Sequence, residues 1–234
     1  ALIAGLCRAD AYPHGVAEPV RVAETHISWV LLTGDYAYKI KKPVRLSFLD
    51  YSTLDRRRAL CAEELRLNRR LAPDLYLGVS TIVGTPGAPR VDGSGSALEY
   101  AVRMRQFSPD DELVALLAAG RVTTADLGGL GTSIARFHAG AATAPAGSVF
   151  GEPPTVQRVT LDNFAELRAL PESAAWHDRL SALERNVTKL QTRLHELMIE
   201  RRAHGHVREC HGDLHCGNVV RWAGALTPFD GIEF

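Results

Sequence analysis

Residues 210–220 read CHGDLHCGNVV. Two histidines, an aspartate and an asparagine fall within residues 211–218, with glycines at 212 and 217. Asp213 and Asn218 lie five apart on a glycine-containing loop. Asp230 follows seventeen residues after Asp213, across a segment, NVVRWAGALTPFD, that reads as a hairpin turning at Ala223-Gly224. Two carboxylates and a carboxamide oxygen are hard ligands. They suit Mg2+, which takes few protein ligands and leaves its other positions to water or phosphate oxygens. A member of the set not bound to metal can orient or deprotonate an attacking hydroxyl. A competing chemistry is zinc, held by some of His204, His206, Cys210, His211, His215 and Cys216. No close C-x2–4-C pair accompanies them, and the oxygen set then has no explanation.

The elements that must position these groups can be read from periodicity. Strands are expected at about 20–24, 29–33 and 36–42, with a tight turn at Thr33-Gly34-Asp35 and Pro43 ending the third. A helix should run from a Ser52 or Thr53 N-cap to about Leu71, stopped by Ala72-Pro73. LYLGVSTIV and SALEYAVRMRQF read as two further strands joined by a Gly/Pro/Ser-rich connection over 84–96. From Ser108 the chain is mostly helical, with Ser108 opening a helix and Leu127, Leu130, Ile134 and Phe137 marking another. Residues 139–157 read as loop. Leu180, Leu183, Val187, Leu190, Leu194 and Leu197 then form the stripe of a helix of about six turns, ending before Gly205 and packed on its neighbours.

HGDLHCGN has the H-x-D-x-x-x-x-N spacing of a kinase catalytic loop. It resembles the HGDxHxxN form of the aminoglycoside phosphotransferase family and its choline-kinase-like relatives, and PFDGIEF resembles their second metal motif. The resemblance covers about residues 20–234. With ETHISWV, GDYAYKIKKPV and EELRLNRRLAPDLYLGV, it is strongest to the phosphotransferase-like half of bacterial proteins fused to a P-loop ATPase domain. It implies an α+β, two-lobed, protein-kinase-like fold: an N-terminal nucleotide-binding lobe over 1–103, with an antiparallel sheet and one main helix, and a mostly helical catalytic lobe over 104–234. The second lobe would carry a helical insertion at about 140–205 and lack the family's C-terminal helices. The implied cofactors are ATP or GTP and Mg2+. Asp213 is implied as base or orienter of a small-molecule hydroxyl, His211 as the buttress of its loop, and Asn218 and Asp230 as metal ligands. Nucleotide would sit between the lobes with the hinge near 103–107, and a P-loop ATPase domain is an implied partner.

Such a site requires a strand lysine held by a helix glutamate. Period-two alternation puts Ala37, Lys39 and Lys41 on one face of the third strand and Tyr36, Tyr38 and Ile40 on the other. Ala37 leaves room for an adenine beside Lys39. Leu60, Glu64, Leu67 and Leu71 share one helical stripe, so Glu64 is a charge on an apolar face and needs a partner. No basic residue lies three or four positions away in the helix, whereas Glu63 can pair with Arg66. Lys39 is therefore assigned to Glu64, with Lys41 as a substitute and an arginine or water as the alternative partners. The chain has neither a P-loop nor a G-x-G-x-x-G turn. Thr25, His26 or Ser28 is the expected phosphate-binding turn. Glu233 and the acidic residues 110–112 read as solvated, with a cationic substrate as the alternative.

Bulk composition narrows the function. Lys plus Arg and Asp plus Glu are both 27, and this zero balance argues against a general nucleic-acid binder. Four irregularly spaced cysteines do not form a disulfide framework and point to a reducing, cytoplasmic home. No apolar stretch is long enough to span a bilayer, and the apolar start lacks the basic region of a signal peptide. A non-catalytic nucleotide-binding module is the alternative to an enzyme.

Overall fold

The strands expected in the first half form one antiparallel sheet. In the computed structural model, which describes residues 1–16, 19–46 and 48–233, a short helix α1 (Leu2–Leu6) precedes β1 (Arg21–Glu24), β2 (Ser28–Leu32) and β3 (Tyr36–Lys41). Helix α2 (Leu54–Asn68) follows, then β4 (Tyr76–Thr85), β5 (Ala88–Val91) and β6 (Glu99–Arg105). The sheet order is β1-β2-β3-β6-β4-β5. The last residue of the PFDGIEF motif, Phe234, lies outside the described residues.

Alternation along β3 divides the core in two. Tyr38 and Ile40 pack with Leu31, Ile82 and the N-terminal Leu6, Ala11 and Tyr12. Ala37 faces the other way, into a cluster with Cys61 of α2, Leu75, Tyr76, Val102 and Val220. Both faces of the sheet are thus covered, one by the first sixteen residues and one by α2. The Thr53 hydroxyl caps α2 by accepting from Arg56 N at 3.3 Å, as its sequence position requires. The connection over 84–96 is corrected: it contains β5, which pairs with β4 across a two-residue turn at Pro86-Gly87.

After β6 come a 3-10 turn (Pro109–Asp111), α3 (Leu113–Ala118) and α4 (Thr124–Gly140). Helices α5 (Pro153–Ala169) and α6 (His177–Ala203) follow, and then the hairpin β7 (Val219–Trp222) with β8 (Ala225–Pro228). The hairpin turns at Ala223 and Gly224, both with positive φ, where the sequence placed it. The expectation of loop throughout 139–157 is corrected too. Pro153 and Pro154 open α5, because proline in the first turn costs no helical hydrogen bond.

Two compact units result, one of residues 1–137 with 211–234 and one of residues 138–210. In the second unit α5 and α6 run antiparallel. Arg168 Nη2 lies 2.6 Å from Glu184 Oε2, and Gln191 Nε2 donates to Thr160 Oγ1 at 2.9 Å. The leucine stripe of α6 is split: Leu180 is buried, while Leu183, Leu190 and Leu197 are exposed. No helix among the described residues is long and apolar enough to cross a membrane.

Candidate functional site

Three segments far apart in the sequence are tied together in the first unit. The 211–213 loop runs beside the exit of the β7–β8 hairpin. Phe229 N donates to Asn218 O at 2.9 Å, extending the ladder, and Ile232 N donates to His211 O at 3.1 Å. His211 is buried and its Nε2 bonds Phe229 O at 2.9 Å. A carbonyl only accepts, so Nε2 carries the proton and Nδ1 is left to accept from Asp213 N at 3.4 Å. Burial lowers the imidazole pKa, which keeps the ring neutral in this role. Gly212 sits at φ 84°, and a Cβ there would run into the Ile232 side chain.

Helix α2 grips the same exit segment from the other side. Asn68 Nδ2 donates to Gly231 O at 3.0 Å and to Glu64 O at 3.0 Å, and Gly231 N donates to Asn68 Oδ1 at 2.7 Å. A side chain at 231 would come within 3.2 Å of His211 O and 3.4 Å of Asn68 Oδ1. Asp230 N donates to the Tyr76 hydroxyl at 3.0 Å. These bonds hold Asp230 at φ 59°, a left-handed conformation that costs about 1 kcal/mol for a non-glycine residue. Asn68→Ala is expected to cost about 1–3 kcal/mol in urea denaturation, because it leaves the buried N–H and C=O of Gly231 unpartnered. Hydrogen exchange at the Gly231 amide should accelerate in parallel. An unchanged exchange rate would count against the clamp.

The charged centre lies between α2 and β3. Glu64 is fully buried and takes both strand lysines, with Lys39 Nζ 3.0 Å from Oε1 and Lys41 Nζ 2.5 Å from Oε2. Lys39 also pairs with Asp230, and Lys41 with Glu233. The Lys39–Glu64 pair assigned from the helical stripe is present, and the substitute lysine is present beside it. Burial opposes the Lys39 charge, but Asp230 and Glu64 outweigh it and hold the ammonium well above its ordinary range. Burial likewise works to raise the Glu64 carboxyl, and the two lysines reverse this and pull it down to about 2. Glu63 pairs with Arg66 at 2.5 Å on the exposed side of α2.

Asp213 and Asn218 face each other across their loop. Asn218 Nδ2 donates to Asp213 O at 2.9 Å and Asp213 Oδ2 at 3.2 Å. That leaves Asn218 Oδ1 without a hydrogen bond among the described residues, and Asp230 Oδ2 likewise. Two unengaged hard oxygens on one backbone ladder fit the donor chemistry of Mg2+. No group of three or more His, Cys, Asp or Glu side chains among the described residues is placed to hold a metal ion, so a zinc set of that kind is not formed and a Mg2+ site would have to draw on the Asn218 carboxamide and on water or phosphate oxygens.

A cleft of about 220 Å³ opens beside this centre. Lys39 and Asp230 line one part, and Ala37, Val30, Leu32 and Met104 supply apolar walls with Gln106 and Phe107 from the stretch after β6. Thr25 reaches the cleft, whereas Ser28 does not line it. Ser28 is fully buried, its N–H donates to Thr25 Oγ1 at 3.0 Å, and its hydroxyl has no partner among the described residues. Glu233 is not solvated: its side chain is 5% exposed and it bonds Lys41 and the Tyr51 hydroxyl. Asn68, Tyr51 and Tyr76 are the contributors that sequence reasoning missed. Only Asn68 left a signal, as a second polar residue one turn after Glu64.

These features define an α+β protein whose antiparallel sheet and main helix enclose a lysine–carboxylate centre at the edge of an apolar cleft. The chain is 31% identical over 230 residues to the uncharacterized protein Rv2004c of Mycobacterium tuberculosis (strain ATCC 25618 / H37Rv). The uncharacterized protein Mb2027c of Mycobacterium bovis (strain ATCC BAA-935 / AF2122/97) matches at the same identity over the same length. Each match takes in 98% of this chain and 44% of the relative, so the chain spans less than half the length of these curated relatives. No family model and no solved structure matches the chain.

Proposed function

We propose that the protein is an ATP- and Mg2+-dependent phosphotransferase of the aminoglycoside phosphotransferase-like kind, with a two-lobed protein-kinase-like fold, acting on a hydroxyl of a small molecule. The observation that carries this reading is the convergence of Lys39, Glu64 and Asp230 at one charged centre, with Lys39 and Asp230 lining an apolar cleft and with Asn218, which bonds Asp213, accepting from Phe229 N beside Asp230. The cleft walls around Ala37 and Met104 take the base, and Lys39 takes a phosphate in exchange for its carboxylate partners. Asn218 and Asp230 would hold a Mg2+ ion, which when bound would supply positive charge to neutralise phosphate oxygens. Asp213 accepts the proton of the substrate hydroxyl as its oxygen bonds the γ-phosphorus and the bond to the β,γ-bridging oxygen breaks, releasing ADP. Most of the rate comes from positioning and charge, as phosphoryl transfer requires. The relatives are more than twice as long as the matched stretch, which leaves room for the P-loop ATPase domain that the resemblance implies.

Thermal unfolding with MgATP or MgGTP is the first test. Nucleotide at 100 times its Kd should stabilise the folded state by about 2.7 kcal/mol. Lys39→Met should remove that gain. ADP release over a panel of small hydroxyl compounds then separates the enzyme from a binding module. Stabilisation without turnover points to the module, and no stabilisation by either nucleotide at millimolar concentration defeats both.

A further inference from the structure

The phosphotransferase reading needs one lysine, and β3 brings two to Glu64. Their surroundings differ. Lys41 is 1% exposed and does not line the cleft. Its three ammonium hydrogens have three acceptors: Glu64 Oε2 at 2.5 Å, the Tyr51 hydroxyl at 3.2 Å and Glu233 Oε1. Tyr51 in turn donates to Glu233, so the set is closed on itself. Lys39 lines the cleft, is 14% exposed, and its two partners are Glu64 Oε1 and Asp230. A charge that must leave its partner to meet a phosphate needs that partner to keep another counter-charge. Otherwise a buried, unpaired carboxylate is created at the moment of binding.

We propose that Lys41 is a positioning residue, the fixed counter-charge of Glu64 and Glu233 that frees Lys39 for an anionic phosphate and pins the 230–233 segment to β3. This rests on the phosphotransferase reading for its role in nucleotide binding, but the division of labour between the lysines stands on geometry alone. When Lys39 swings toward phosphate, Glu64 keeps Lys41 through its second oxygen. Without Lys41, Glu64 has only Lys39 and holds it.

Two variants and one chemical measurement test this. Lys41→Met is expected to raise the KM for MgATP about tenfold, with a smaller change in kcat, and to lower Tm. In the double variant Lys41→Met/Glu233→Gln the carboxylate that lost its partner is gone, so Tm should recover while the KM stays high. A merely structural Lys41 makes Tm and KM recover together, and that result overturns the proposal. Reductive methylation of the wild-type protein, read residue by residue by mass spectrometry, needs no nucleotide: Lys39 should be modified well before Lys41. Equal rates overturn the proposal even if the protein binds no ATP. Lack of ATP binding by wild type, with the methylation order as expected, rejects the phosphotransferase reading and the nucleotide half of this proposal, and leaves only the pinning of the 230–233 segment by a fixed Lys41 beside an accessible Lys39.

Discussion

If the proposed phosphotransferase function holds, Asp213→Ala is expected to lower kcat for ATP-dependent phosphorylation by about 10²–10⁴-fold, the range for losing a positioned proton acceptor. MgATP binding should stay near wild type. The separation follows from how the loop is held. Asn218 Nδ2 donates to the backbone carbonyl of residue 213 at 2.9 Å as well as to the Asp213 carboxylate. The backbone bond survives the substitution, so Asn218 keeps its orientation and its free Oδ1. His211 holds residue 213 through the backbone N–H, which alanine also retains. Among the described residues no hydrogen bond or ion pair joins the Asp213 side chain to Lys39, Glu64 or Asp230. Parallel measurement of kcat and of the MgATP-induced thermal shift checks both halves. Undiminished turnover removes Asp213 from the reaction, and joint loss of binding and turnover makes it a structural residue instead.

What could be read from the residues depended on whether the constraint was local. Alternation on β3 is local: a one-residue slip would bury tyrosines against α2 and turn lysines toward Tyr12, so the face of Lys39 and Lys41 was fixed by pattern alone. Glu64 was found because an unpaired charge on an apolar stripe is too costly to leave alone. Which lysine it takes was not legible, because a carboxylate has two oxygens and this one uses both. Glu233 was misread because its partner, Lys41, lies 192 residues earlier and nothing near Glu233 marks it as buried. The strand β5 was hidden for a different reason. APRV carries a proline, which a central strand rejects, yet β5 is an edge strand bonded on one side only, where proline is tolerated. Helix α5 was hidden by the opposite misreading, since two prolines that stop a helix in its interior can start one. The clamp of Asn68 on Gly231 joins positions 163 apart, and only the fold could reveal it.

The largest stability effect is expected at Glu64. Glu64→Gln preserves the shape of the side chain and removes the charge that Lys39 and the buried Lys41 share. Removing one partner of a buried ion pair costs about 3–5 kcal/mol, because the desolvation of the remaining charge is no longer offset. Asp230 and Glu233 still compensate part of the lysine charge, which places the expected loss toward the lower end of that range. The loss has a pH signature. The folded-state carboxyl lies at about 2, below the ordinary value of 4.5, so the unfolded chain takes up the proton first as pH falls. The stabilisation is therefore complete above about pH 4.5 and drains away as pH drops from there through about 2. Urea denaturation of wild type and variant at a series of pH values should show a gap that is wide at pH 7 and narrows across that acid window. A gap that stays constant down to pH 2 would mean that Glu64 stabilises the fold by packing, and the two lysines would then need another source for the charge that keeps them buried.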